Sequence, residues 1–124
     1  MKYLIKAIPA ILVLMLSYWA VRPLTTAGFF PMHDDTQVAR VFEMHKSLAD
    51  GMFPVRWVSD LGYGYGYPIF NFYAPLAYYV GAVFMFVGAN ALIATKLMIG
   101  LGVVLAGIFM YFLAKEFWGK IGGI

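Results

Sequence analysis

The chain has 124 residues, 63% hydrophobic and only 12% charged, a balance that excludes an ordinary soluble domain and points to a membrane protein. Its net charge of +3 comes from nine basic residues scattered along the chain, which leaves no patch for a nucleic acid partner. Cysteine is absent, so a disulfide-stapled secreted domain is excluded.

Three segments meet the requirement of about 20 mostly apolar residues for crossing a hydrocarbon core of about 30 Å: Tyr3 to Val21, Ile69 to Val87 and Ala91 to Leu113. In the first, Lys6 lies near enough to the end to snorkel to the headgroups. The segment reads as a retained anchor rather than a cleaved signal, because bulky Tyr18 stands where cleavage after Ala20 needs a small residue. Lys2 and Lys6 precede it without a nearby acid, which places the N-terminus in the cytoplasm and residues 22–68 outside the cell membrane.

That outer loop holds Asp34, Asp35, Glu43, Asp50 and Asp60, five of the six acids, and both histidines, His33 and His45. From Asp34 onward the pattern is helical. Val38, Val41, Phe42, His45, Leu48 and Ala49 make one mainly apolar face, opposite Gln37, Arg40, Glu43, Lys46 and Ser47. A helix of this kind lies along a membrane surface. Asp34 stands at the N-cap position, with Gln37 three residues on as in a capping box, and Gly51 supplies the stop.

A cap accounts for one aspartate. Adjacent Asp34 and Asp35 beside His33 also offer ligands for Mg²⁺ or Mn²⁺, or a general base for an acceptor hydroxyl. Arg40 and Arg56 have the forked geometry that clamps a phosphate, or else meet lipid headgroups. His45, on the apolar face, reads as a packed residue before it reads as a ligand.

Next comes GMFPVRWVSDLGYGYGYPIFNFYAPLAYY. Its tyrosines and Trp57 suit the aromatic belt of a membrane boundary. Alternation with Gly62, Gly64 and Gly66 suggests either a shaped loop whose rings line a groove for a sugar or lipid chain, or a re-entrant turn packed on helices. The second and third spans, joined by the short VGAN turn, form a helical hairpin. This path leaves Lys115, Glu116 and Lys120 outside, against the positive-inside tendency. The final FWGKIGGI opens a new apolar stretch, as expected of a chain cut before a fourth span. The expected fold is therefore an all-α membrane protein, one domain over residues 1–124, with three transmembrane helices and an amphipathic helix in the outer loop.

HDDTQVAR opening a helix, followed by DGMFPVRWVSDLGYGYGYPIFNFYAPLAYYVG before the next span, resembles the N-terminal region of multi-spanning GT-C type membrane glycosyltransferases. More narrowly, it looks like the large bacterial and archaeal membrane proteins of that superfamily related to the YfhO type. The resemblance implies transfer of a sugar from a polyprenyl-phosphate donor on the outer face, within a bundle completed by further transmembrane helices. It implies an acid of the first outer loop in the catalytic role, Asp34 in first place and otherwise Asp35, with Asp35 as the metal partner or support of Asp34, alongside the His33, Asp34 and Asp35 metal-ligand set read from the residues themselves. It further implies a substrate-facing surface including Arg40, Arg56, Trp57, Asp60, Tyr63 and Tyr65. The competing expectation is a non-enzymatic membrane subunit whose aromatic loop holds lipid. A transporter is disfavoured because the spans lack ionisable residues near their middles.

Overall fold

The computed structural model describes the backbone of residues 2–32 and 34–122, and the side chains of residues 8–119 except 10 and 33. It is all-helical, with α1 (Lys2–Val21), α2 (Gln37–Ala49), α3 (Leu76–Phe86) and α4 (Ala91–Gly122), and short 3-10 turns at Arg22–Thr25 and Ile69–Asn71. Among the described residues there is no strand, only an isolated antiparallel bridge between Val58 and Tyr67. The chain divides into two compact units, Met1–Phe30 with Ile99–Ile124, and Pro31–Met98.

In the first unit, small residues permit close approach. A side chain at Gly107 would meet Ser17 Oγ at 3.1 Å and Val13 Cγ1 at 3.2 Å, and Ser17 is buried there. The large apolar side chains around them, including Leu16, Trp19, Phe109, Met110 and Phe117, are exposed, as on helices surrounded by lipid or by other helices. Over Ala91–Gly119, α4 is long and apolar enough to cross a membrane. The helix outruns the expected end at Leu113 and is broken at Gly119, whose φ of 73° is non-helical.

The second unit is a small core between α2, α3 and the first turns of α4. Val41, Met44, Val55, Val58, Ile69, Phe70, Tyr78, Ala82, Ala94, Thr95 and Met98 are all buried. At its tightest point Gly81 of α3 lies on Val41 of α2, where a β-carbon would stand 2.8 Å from Val41 Cγ2. Both α2 and α3 end in the same way. Gly51 (φ 87°) and Gly88 (φ 102°) take the left-handed position, and the amides of Gly51, Met52, Gly88 and Ala89 return to carbonyls of the last turn. Asn90 then caps α4, its Oδ1 accepting from the Ile93 amide at 2.9 Å.

Three expectations are corrected. The segment Ile69–Val87 is not one helix of spanning length: a 3-10 turn and an irregular stretch precede α3. The 11 residues of α3 rise about 16 Å at about 1.5 Å each, near half a hydrocarbon core. Pro68 and Pro75 explain this, since each lacks an amide hydrogen and pushes its predecessor out of the helical region. The hairpin of two full spans falls with it.

The capping box is also replaced. Thr36 is the N-cap residue of α2 and makes no side-chain cap bond; Asp34 instead closes the turn before the helix, and Gln37 accepts a hydrogen bond from Tyr78. Third, α2 does not present its polar face to water. Arg40, Glu43 and Ser47, spaced by three and four, are buried, whereas Phe42 and Ala49 are exposed. The polar stripe points inward because α3 and the 51–68 loop bring partners for part of it.

Candidate functional site

The site is built around the start of α2. Asp34 Oδ1 accepts from the Thr36 amide at 3.1 Å and from the Thr36 hydroxyl at 2.5 Å, an aspartate turn of the usual kind. Asp34 Oδ2 pairs with the Arg40 guanidinium at 2.5 Å. They lie six positions apart in the chain. The turn and the first helical turn place one side chain above the other.

Arg40 is enclosed. Its side chain is 7% exposed, against 29% for Asp34. Its guanidinium carbon lies 4.0 Å from the centre of the Tyr73 ring, a favourable place for a cation. The same nitrogen that meets Asp34 lies 3.4 Å from the Tyr78 hydroxyl, which donates to Gln37 Oε1 at 2.8 Å. Tyr78 itself packs on Phe70, with ring centres 5.3 Å apart. A chain of polar contacts thus runs from Asp34 through Arg40 to Tyr78 and Gln37, tying α3 to α2.

The hydrogen bond from the Thr36 hydroxyl, reinforced by the Thr36 amide and by Arg40, holds the Asp34 carboxyl below its usual range despite some burial. Asp34 is therefore a fixed anion and a weak base. Asp35, its neighbour, is exposed and has no side-chain hydrogen bond among the described residues. Thus the two aspartates differ: one holds the architecture and the other faces outward with both oxygens available.

The loop after α2 is a second organised element. The Val58 and Tyr67 backbones exchange hydrogen bonds at 3.0 and 2.8 Å, closing a turn in which Gly62, Tyr63, Gly64 and Gly66 all have positive φ. Trp57 lies on Gly66 so closely that a β-carbon there would come within 2.4 Å of the indole nitrogen, which is why glycine occupies that position. Tyr63 and Tyr65 project fully into the surroundings. The Val55 amide donates to the Tyr79 hydroxyl at 2.8 Å, fastening the loop to α3.

Of the other candidate residues, Arg56 is exposed and forms no ion pair among the described residues. Asp60 pairs with Lys46 of α2. His45 packs on Phe86 with ring centres 4.4 Å apart, as a structural residue does. His33 lies outside the described residues. No group of three or more metal-ligating side chains occurs among the described residues. Asp35 and an Asp34 already committed to Arg40 do not by themselves make the six-oxygen shell of Mg²⁺.

Sequence reasoning did not single out Tyr73, Tyr78 or Gln37 for this site. The signal lay in the spacing of Arg40, Glu43 and Ser47, a polar stripe as regular as the apolar one. Comparison with protein families, curated proteins and solved structures finds no match.

Proposed function

We propose that this chain forms the front of a membrane glycosyltransferase that moves a sugar from a polyprenyl-phosphate donor to an acceptor hydroxyl, with residues 31–68 on the reacting side. The observation that carries the reading is the division of labour between the paired aspartates. Asp34 is pinned by Thr36 and Arg40, while Asp35 is presented free beside it.

In the reaction the acceptor oxygen forms a bond to the anomeric carbon as the bond from that carbon to phosphate oxygen breaks. The leaving polyprenyl phosphate takes the bonding electrons. The acceptor proton passes to Asp35, the carboxylate with open lone pairs, a step worth about 10²–10⁴-fold in rate. Asp34, with its depressed affinity for protons, sets the geometry of the turn and the local negative charge. Charge on the departing phosphate is met by Arg56, whose guanidinium is exposed and uncommitted, rather than by Arg40, which is enclosed.

The test is transfer of labelled sugar from a polyprenyl-phosphate donor by membranes carrying the full-length protein. Asp35→Asn should reduce transfer at least about 100-fold with insertion unchanged. Full activity in that variant removes Asp35 from the chemistry. The exposed aromatic side chains Phe53, Tyr63, Tyr65 and Phe72 favour a second reading, a non-enzymatic module that holds lipid. That reading predicts vesicle binding sensitive to Tyr63→Ser and Tyr65→Ser, and no transfer by the wild type.

A further inference from the structure

Glu43 sits in the middle of α2 and has no place in the scheme above. It is only 3% exposed, and its Oε2 has no hydrogen-bond partner among the described residues. An ionised carboxylate with an unsatisfied, buried oxygen is costly, and the usual relief is a proton or a counter-charge. One helical turn on, Lys46 would be that counter-charge, but its ammonium is paired with Asp60 from the loop. Ser59 Oγ lies 3.1 Å from the other Asp60 oxygen. Two carboxylates therefore share one lysine. With both ionised, the cluster carries one uncompensated negative charge next to a buried oxygen.

We propose that Glu43 and Asp60 together hold one proton, and that this proton fastens the 51–68 loop to α2, so that docking of the loop depends on external pH. The one-proton state, a neutral Glu43 beside the Asp60–Lys46 ion pair, is free of net charge. It also turns the lone acceptor into a hydroxyl able to donate to the Asp60 carboxylate.

The electrostatics run the same way. Burial first, and then the Asp60 carboxylate, push Glu43 up from its ordinary value, while the hydrogen bond from Lys46, followed by that from Ser59, holds Asp60 down. The other charged or titratable groups in the surrounding elements are Arg40, engaged by Asp34, His45 and Asp50 on α2, Arg56, Tyr63, Tyr65 and Tyr67 in the loop, Tyr78 and Tyr79 on α3, and Lys96 on α4.

The sign follows from the two directions. Glu43 has a raised affinity for its proton when the loop is docked, so its contribution is fully present below the ordinary carboxyl value and is lost as pH rises through the raised one. Asp60 has a lowered affinity, so its contribution is present above the ordinary value and is lost as pH falls through the depressed one. Docking is tightest between them.

Hydrogen exchange at the Val58 and Tyr67 amides, which close the loop's bridge, reads this directly in the full-length protein held in nanodiscs. After correction for intrinsic exchange, protection in the wild type should fall with rising pH across the Glu43 window, by up to about tenfold per pH unit. Glu43→Gln, which fixes the neutral shape, should abolish that fall. Asp60→Asn should shrink it, so that misfolding of one variant leaves the other to decide. A wild-type profile flat between about pH 4 and about pH 8, or an unchanged slope in either folded variant, overturns the proposal.

Discussion

Tyr78 shows how much of the site depends on one hydroxyl. It donates to Gln37, lies within reach of Arg40 and is itself buried. Replacing it by phenylalanine keeps the packing on Phe70 and removes only the oxygen. Tyr78→Phe should cost about 1 kcal/mol through the lost hydrogen bond, read as a lower melting temperature in detergent. It should also loosen Arg40 and with it Asp34, so sugar transfer should fall by less than in Asp35→Asn. The paired acids were legible from sequence because charge stands out in so apolar a chain. Their separate roles were not, since they depend on a threonine two residues after Asp34 and an arginine six residues after it. Spacing alone cannot tell an aspartate that caps a helix from one that closes the turn before it.

Helix α2 and its neighbour α3 carry the corresponding lesson for elements. The position and ends of α2 follow from Gly51 and from the helical periodicity, and they stand as expected to within a few residues. Its buried face does not follow, because periodicity identifies two opposite faces without saying which one meets the protein. Here the face with Arg40, Glu43 and Ser47 is covered. Val41 and Met44 fill the space between these polar groups, and Gly81 lets α3 approach. Gly81→Leu should therefore destabilise the unit by about 1–3 kcal/mol through overpacking against Val41, measured by chemical denaturation. Gly66→Ala should disturb the loop more locally, since it combines an unfavourable φ of 83° with a clash against the Trp57 ring. Its readout is a change in Trp57 fluorescence without loss of helical circular dichroism.

At the scale of the whole molecule, the 11 residues of α3 are too few for a straight helix to cross a hydrocarbon core of about 30 Å. On the proposed membrane reading, with α3 held beside α2 in one compact unit, α1 and α4 are the crossings to expect, and the turn at residues 87–90 is expected on the same side as the 51–68 loop. Lys115 and Lys120 then return to the side of Lys2 and Lys6, which satisfies the positive-inside tendency that three crossings violate. Single cysteines at Ala89 and Ser59 should accordingly be labelled from the same face of sealed vesicles, and labelling from opposite faces restores the full-length second span. The apolar segments were legible from hydropathy. What hid the architecture was that Ile69 to Val87 has the composition of a span while Pro68 and Pro75 leave it only 11 helical residues.

Because α2 turns its polar stripe inward, Asp34 is pinned by Arg40 and Thr36 while Asp35 stays exposed. These 124 residues contain no cysteine, so a single Ser47→Cys thiol in this chain can be titrated with a water-soluble maleimide against Ser59→Cys as the exposed reference. Burial of Ser47 at 7% exposure predicts a thiol that stays unlabelled until the protein is unfolded, while Ser59→Cys reacts at once. A Ser47→Cys thiol that reacts as fast as the reference would put the polar face of α2 in water and contradict the site described here.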